Sequence, residues 1–261
     1  MTVTNLVTAV NQIAMKSVAI IGFKDSGKTT VAEVLIRMLK ERGLKVVVIK
    51  HAHGGITLYS DDSSRLFKAG ADHVVALSDK ESLELKRKPG SLWQYISLFR
   101  GFDFLVVEGF KSLFPGTRIV VARDFEEAKK LSSPLVIAYT GRIAEFSQDI
   151  KLDAPVINVK EEPEKLLQIV LEKAIEPLPA LNCGFCKYGS CLALAEAIVR
   201  GEATYAECTV LKSKVVLRVD GQTIELNPFV QDVFKNVVLG IVSTLKGVNT
   251  NPARIELSIS L

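Results

Sequence analysis

At 261 residues, with 48% hydrophobic and 24% charged side chains, the chain can build one large core plus a small appendage, and its ordinary composition excludes a disordered or fibrous protein. Its 33 basic and 29 acidic residues give a formal charge of +4 without a clustered Lys/Arg stripe, so no nucleic-acid role is assigned. The longest apolar runs, such as Val237 to Val242, fall far short of the ~20 residues of a membrane span, and Met1 to Ala14 lacks the parts of a secretory signal, so the expected location is the cytoplasm.

Residues 1–15 read as an N-terminal extension with no assigned role. Lys16 to Ile21 is a β-branched apolar run leading into the glycine-rich Gly22 to Gly27. Val31, Val34, Leu35, Met38 and Leu39 then recur at helical spacing until Gly43, the expected C′ residue. Leu44 to Ile49 starts a second strand without polar alternation, as buried parallel strands do. A polar segment from Gly54 to Ser64, a short helix into Ala69, a strand at His73 to Leu77 and a helix around Trp93 to Phe99 follow. Further strands are expected at Phe104 to Val107, Ile119 to Val121, Leu135 to Ala138 and Val156 to Val159, before a helix from about Glu162 to Ala174. This alternation predicts an α/β fold over residues 16–175, a doubly wound and mainly parallel sheet with its ligand at the carboxyl ends of the strands, and the Gly22-x-x-x-x-Gly27-Lys28-Thr29 turn between the first strand and helix makes it a P-loop fold.

Pro177 and Pro179 make residues 176–181 a linker, followed by a four-cysteine module at 182–210 and a C-terminal segment at 211–261. In that last segment Lys214 to Val219 and Thr223 to Leu226 flank Asp220-Gly221, a hairpin signal. Asn227 is a helix N-cap with Pro228 at N1, opening a helix towards Lys246, and Arg254 to Leu261 alternates like a strand, completing a ββα(β) appendage.

Gly22-Phe23-Lys24-Asp25-Ser26-Gly27-Lys28-Thr29 fits G-x-x-x-x-G-K-[ST] and lies between a predicted strand and a predicted helix. Backbone N–H groups of such a loop surround phosphates, Lys28 reaches the terminal ones and Thr29 ligates magnesium, with Gly22, Lys24, Asp25, Ser26, Gly27 and Thr30 completing the nucleotide-binding set. Asp103 to Glu108 is an apolar strand ending in an acid, the form of an element that holds the metal. The bland reading pairs Glu108 with a nearby lysine such as Lys111. His51 and His53 follow the second strand and Asp61-Asp62 comes soon after, which makes Asp61 or Asp62 a magnesium-side candidate and the histidines substrate or metal candidates. His and Asp also serve loop turns.

Gly22 to Thr30, Ile49-Lys50-His51-Ala52-His53, Asp62-Ser63-Ser64-Arg65 followed by Ala69-Gly70-Ala71, and Val107-Glu108-Gly109-Phe110-Lys111 together resemble the molybdopterin-guanine dinucleotide biosynthesis protein B family over roughly residues 16–160. That resemblance implies a GTP-binding adapter with weak GTPase activity, which helps a molybdenum cofactor guanylyltransferase attach GMP to molybdopterin. It implies a homodimer and makes Lys28, Glu108 and Asp62 the catalytic residues and Thr29, Asp62 and Glu108 the magnesium residues; Arg65 joins His51 and His53 as a substrate candidate. No Asn-Lys-x-Asp guanine reader occurs, so the GTP assignment rests on the resemblance.

All four cysteines, Cys183, Cys186, Cys191 and Cys208, lie in one short window, unlike a disulfide framework. Four thiolates suit a [4Fe–4S] cluster or a structural zinc, and the unequal gaps favour the cluster. Gly184 and Gly189 relieve the turns, and Cys191 opens an Ala/Leu-rich helix ended by Gly201. The segment resembles the four-cysteine iron–sulfur domain of archaeal corrinoid iron–sulfur proteins. Two other readings keep the fold: a nucleotide-driven metallochaperone using His51, His53 or the cysteines, and an iron–sulfur binding protein whose nucleotide is structural.

Overall fold

The computed structural model describes residues 15–52, 55–56, 62–87, 90, 92–99, 101–146, 151–179, 181–212, 215–219, 222–224, 226–249 and 252–259. The N-terminal extension up to Ala14, together with His53, Asp61 and the Asp220-Gly221 turn, lies outside the described residues. The chain divides into two compact units, Met1–Pro177 and Leu178–Leu261.

In the first unit five strands pair in parallel: β1 (Lys16–Gly22), β2 (Val46–Lys50), β5 (Phe104–Glu108), β6 (Thr117–Val121) and β7 (Val136–Thr140), in the order β2-β5-β1-β6-β7. Every residue of β5, β6 and β7 is buried, which explains why these runs carry no polar alternation. Successive residues of β1 serve opposite faces. Val18 and Ile20 pack with α1 (Lys28–Glu41) and α6 (Pro163–Lys173), whereas Ala19 and Ile21 pack with Leu92 and Ile96 of α3 (Leu92–Leu98), Ala128 of α4 (Phe125–Leu131) and Ile143 of α5 (Ile143–Phe146). Two apolar layers on one parallel sheet make the doubly wound α/β fold.

Helix ends follow local chemistry. Gly43 takes φ +76 just beyond α1, the left-handed C′ position that lets the chain turn into β2. Asp124 caps α4, its side chain accepting from the Glu127 N–H at 2.9 Å, and Glu127 in turn accepts from the Arg123 backbone at 2.9 Å. α2 (Asp62–Lys68) is a short exposed helix.

Three strand expectations are corrected. His73–Leu77 is strand β3, but it does not join the parallel sheet. It pairs antiparallel with β4 (Ser82–Lys86), a partner the apolar-run reading passed over. A local turn decides this: the Ser78 N–H donates to the Glu81 carbonyl at 2.9 Å, and Ser78 Oγ accepts from the N–H groups of Lys80 and Glu81. Val156 to Val159 forms only a parallel bridge to Tyr139, because two backbone bonds, Tyr139 to Pro155 and Ile157 to Tyr139, are made before the chain turns at Asn158. Residues 254–259 form no strand: alternation supplies a face, but a strand needs a ladder partner.

In the second unit, α7 (Cys191–Val199) is capped by Ser190, whose Oγ accepts from the Ala193 N–H at 3.1 Å, and a single 3₁₀ turn spans Tyr205–Glu207. β8 (Leu217–Val219) and β9 (Gln222–Ile224) pair antiparallel, and α8 (Pro228–Ser243) starts from Asn227, whose side chain accepts from the Val230 N–H at 3.0 Å. Among the described residues no helix is long and apolar enough to cross a membrane.

Truncating Ile119→Ala at the fully buried centre of β6 is expected to lower stability by about 2–5 kcal/mol, read as a lower urea midpoint. Leu77→Ala, at 80% exposure on β3, is expected to change it by less than about 0.5 kcal/mol.

Candidate functional site

Three neighbouring strands end together. In-register parallel pairing sets Lys50 of β2 and Ile20 of β1 both against Glu108 of β5, so Gly22, Lys50 and Glu108 close the same edge of the sheet. A cleft of about 920 Å³ opens there, lined by Gly22, Lys24, Asp25, Gly27, Lys28, Thr29 and His51, and on its far wall by residues 108–113. This volume lies in the range of small-molecule sites.

The loop between β1 and α1 is shaped by backbone conformation. Asp25 takes φ +59 and Gly27 φ +92, and Gly27 is the N-cap of α1 with no side-chain capping bond, so the first N–H groups of the helix face the loop. A Cβ on Gly22 would lie 2.5 Å from the Val121 carbonyl oxygen and 2.4 Å from Ser26 Oγ, so the close approach of loop and strand requires glycine. Lys28 Nζ donates to the Phe23 carbonyl at 2.6 Å, curling the side chain over the loop. Burial pushes its pKa below the ordinary lysine range; Glu108 opposes that shift, Lys111 reinforces it, and Asp25 and Lys50 add smaller effects of opposite sign. An anion in the cleft would offset that penalty.

Opposite the loop, Thr29 Oγ1 donates to the Glu108 carboxylate, 3.2 Å from one oxygen and 3.3 Å from the other. The lysine paired with Glu108 is not Lys111 but Lys50, with its Nζ 2.9 Å from Oε1 and 3.0 Å from Oε2. Lys111 Nζ sits 4.2 Å over the Phe23 ring. Gly109 (φ +95) and Phe110 (φ +53) turn the chain out of β5, and His51 stacks on Phe110 with ring centroids 4.6 Å apart.

Of the residues expected at the site, Gly22, Lys24, Asp25, Gly27, Lys28, Thr29, His51 and Glu108 line the cleft. Ser26 is buried behind the loop and Thr30 is exposed on α1, and neither is among the lining residues. Asp62 and Arg65 pair with each other at 2.9 Å on α2, highly exposed and also outside the lining. His53 lies outside the described residues. Lys50, Phe110 and Leu113 went unselected as site residues in the sequence. Lys50 carried a usable signal, because parallel strands in register that both end in a charged residue must set those charges side by side.

The second unit holds the four cysteines as thiols, with Cys183, Cys186 and Cys191 half-buried and Cys208 buried. Gly184 at φ +74 and Gly189 at φ +72 supply the left-handed turns between the first three. The Cys191 N–H donates to Asn182 Oδ1 at 3.0 Å, and Cys191 is the first residue of α7. Among the described residues no three His, Cys, Asp or Glu side chains are gathered as a metal site. The four thiols match a metal or cluster in number and kind.

The family model for Molybdopterin guanine dinucleotide synthesis protein B matches residues 17–141, and a second, described as "Putative Fe-S cluster", matches residues 178–210. A protein of Methanocaldococcus jannaschii named "Putative molybdopterin-guanine dinucleotide biosynthesis adapter protein" is 31% identical over 255 residues, covering 95% of this chain and 98% of that protein. A Haemophilus influenzae molybdopterin-guanine dinucleotide biosynthesis adapter protein is 31% identical over 160 residues, covering 59% of this chain and 86% of its own length. The crystal structure of Bacillus subtilis MobB superposes with a TM-score of 0.53 at 26% identity, covering 62% of this chain and 99% of that one.

Gly109→Ala tests the wall of the cleft. The new Cβ would stand 2.9 Å from His51 Cβ on a backbone at φ +95. The left-handed conformation alone is expected to remove about 1–2 kcal/mol, seen as a lower thermal midpoint.

Proposed function

This chain belongs to the molybdopterin-guanine dinucleotide synthesis protein B family of molybdopterin-guanine dinucleotide biosynthesis adapters, and from that premise we propose that its cleft binds GTP with magnesium. One observation carries the reading. The G-x-x-x-x-G-K-[ST] loop wraps an uncapped helix N-terminus, and its Thr29 hydroxyl meets the Glu108 carboxylate at the end of the neighbouring strand. The loop amides and the α1 N-terminus hold the phosphates, and Lys28 leaves the Phe23 carbonyl to neutralise the terminal ones. Lys24 and Lys111 add positive charge at the rim, which favours arrival of an anion.

Thr29 and Glu108 fit a hard divalent cation, one hydroxyl and one carboxylate already in contact, and such a cation would neutralise phosphate charge there. Asp62, engaged with Arg65 on an exposed helix, is left out of that assignment. His51, held against Phe110, faces the cleft as a substrate-side residue. The output is adapter work: nucleotide occupancy in the first unit favours contact with the guanylyltransferase that attaches GMP to molybdopterin, in the setting of a homodimer.

For the second unit we propose a [4Fe–4S] cluster held by Cys183, Cys186, Cys191 and Cys208. The support is the match of residues 178–210 to an Fe-S family model and a set of four thiols with no disulfide among them. A segment this short buries little apolar surface, so metal ligation would contribute much of its folding free energy.

Lys28→Ala is expected to abolish tight GTP binding in isothermal titration while the thermal midpoint stays near that of the parent, since Lys28 lies outside the core. Unchanged affinity in the folded variant would remove the phosphate site. Protein purified without oxygen is expected to carry about four irons per chain, a Cys191→Ser change to lower that content, and GTP still to bind; one zinc per chain in colourless protein would refute the cluster.

A further inference from the structure

The phosphate site as proposed uses Thr29, Lys28 and Glu108 but leaves unexplained the cation already seated among them. Lys50 closes β2, and its register partner on β5 is Glu108, so its ammonium reaches the carboxylate from the neighbouring strand. There Nζ lies 2.9 Å from Glu108 Oε1, 3.0 Å from Oε2 and 3.2 Å from Thr29 Oγ1. These three oxygens are the protein ligands assigned above to magnesium. One ammonium thus spans the whole protein side of the metal seat, and two cations do not share that space without strong like-charge repulsion.

We propose that Lys50 is a tethered competitor of the divalent cation: its ammonium holds the Thr29–Glu108 seat, and entry of metal with nucleotide requires Lys50 to leave it. The inference rests on the reading of Thr29 and Glu108 as metal ligands. The two partners differ in how freely they move. The Glu108 side chain is only 10% exposed and fixed at the end of a buried strand, whereas that of Lys50 is 54% exposed on a flexible four-carbon stem. Lys50 swings out without unpacking the core. A buried carboxylate stripped of its paired cation is costly, so the exchange replaces one counter-charge by another and never leaves Glu108 bare. The consequence is discrimination: a metal–nucleotide pair that supplies both the cation and phosphates for the released ammonium displaces Lys50, and free metal alone does so poorly. Lys50 is also joined to His51, whose N–H donates to the Glu108 carbonyl at 2.9 Å and whose ring packs on Phe110, so the exchange is felt directly at the wall of the cleft.

The test is a Mn²⁺ titration of the full chain followed by electron paramagnetic resonance, with and without GTP, on the parent, Lys50→Met and Lys50→Arg. Removing the competing charge is expected to tighten Mn²⁺ binding by about tenfold or more, the usual effect of one adjacent like charge. Lys50→Arg, which keeps the charge, is expected to stay near the parent. The thermal midpoint of Lys50→Met without metal is expected to fall below that of the parent and to recover on adding Mn²⁺. Equal or weaker Mn²⁺ binding by Lys50→Met, with GTP still bound, would overturn the competition and make Lys50 an ordinary ion-pair partner or a phosphate ligand. A parent chain that bound no GTP would refute the nucleotide reading instead, and the comparison of Mn²⁺ affinities without nucleotide would still decide the role of Lys50.

Discussion

The structure depends on one constraint, the in-register parallel pairing of β2, β5 and β1. Parallel strands are joined by crossovers, so their carboxyl ends fall on the same edge and whatever residue ends each strand is brought to one place. Here those residues are Lys50, Glu108 and Gly22. The loop after Gly22 then delivers Lys28 and Thr29, and the chain leaving Glu108 through Gly109 and Phe110 forms the facing wall. A one-residue slip of β5 against β1 would turn Glu108 towards the opposite face of the sheet and separate it from Thr29. The site is thus a product of register more than of any single contact.

Charge is arranged around this edge with few carboxylates and several ammonium groups. Glu108 satisfies Thr29 and Lys50 at once, and Lys28, partly desolvated, lies in the field of Lys111 and Lys50. Such an arrangement leaves positive charge incompletely compensated, which is the condition under which a polyanion binds in place of water. The same edge carries left-handed backbone at Asp25, Gly27, Gly109 and Phe110, a conformation that costs free energy at Asp25 and Phe110 and is kept where the surrounding structure holds it in place. Asp25 and Phe110 are the informative pair, because neither is glycine.

Much of this was legible in the sequence, for identifiable reasons. The strand, loop and helix from Lys16 to Glu41 announce themselves through a β-branched run, a glycine pattern and a 3.6-residue period, three independent signals that agree. Asn227 with Pro228 predicted the start of α8, and Gly43 the end of α1, since each uses a local hydrogen bond or backbone preference. What stayed hidden was pairing. His73–Leu77 reads like any strand, and nothing within it says that its partner is the local Ser82–Lys86 instead of the central sheet. The ion pair of Glu108 was sought in the nearby Lys111, but sequence proximity is a poor guide where a neighbouring strand arrives in register with its own lysine. Asp62 looked like a metal ligand from its place in the chain, yet on α2 it meets Arg65.

As proposed, the Gly22–Thr29 loop and the end of β5 together hold a metal-bound nucleoside triphosphate. Hydrogen exchange of the full chain, compared with and without GTP and Mg²⁺, tests it most directly, because it reports which backbone amides the ligand covers without altering any residue. The account predicts slowed exchange concentrated at residues 22–30 and 108–113, with the β3–β4 hairpin unchanged. Exchange that was the same with and without ligand in both segments, or protection confined to the second unit, would contradict it.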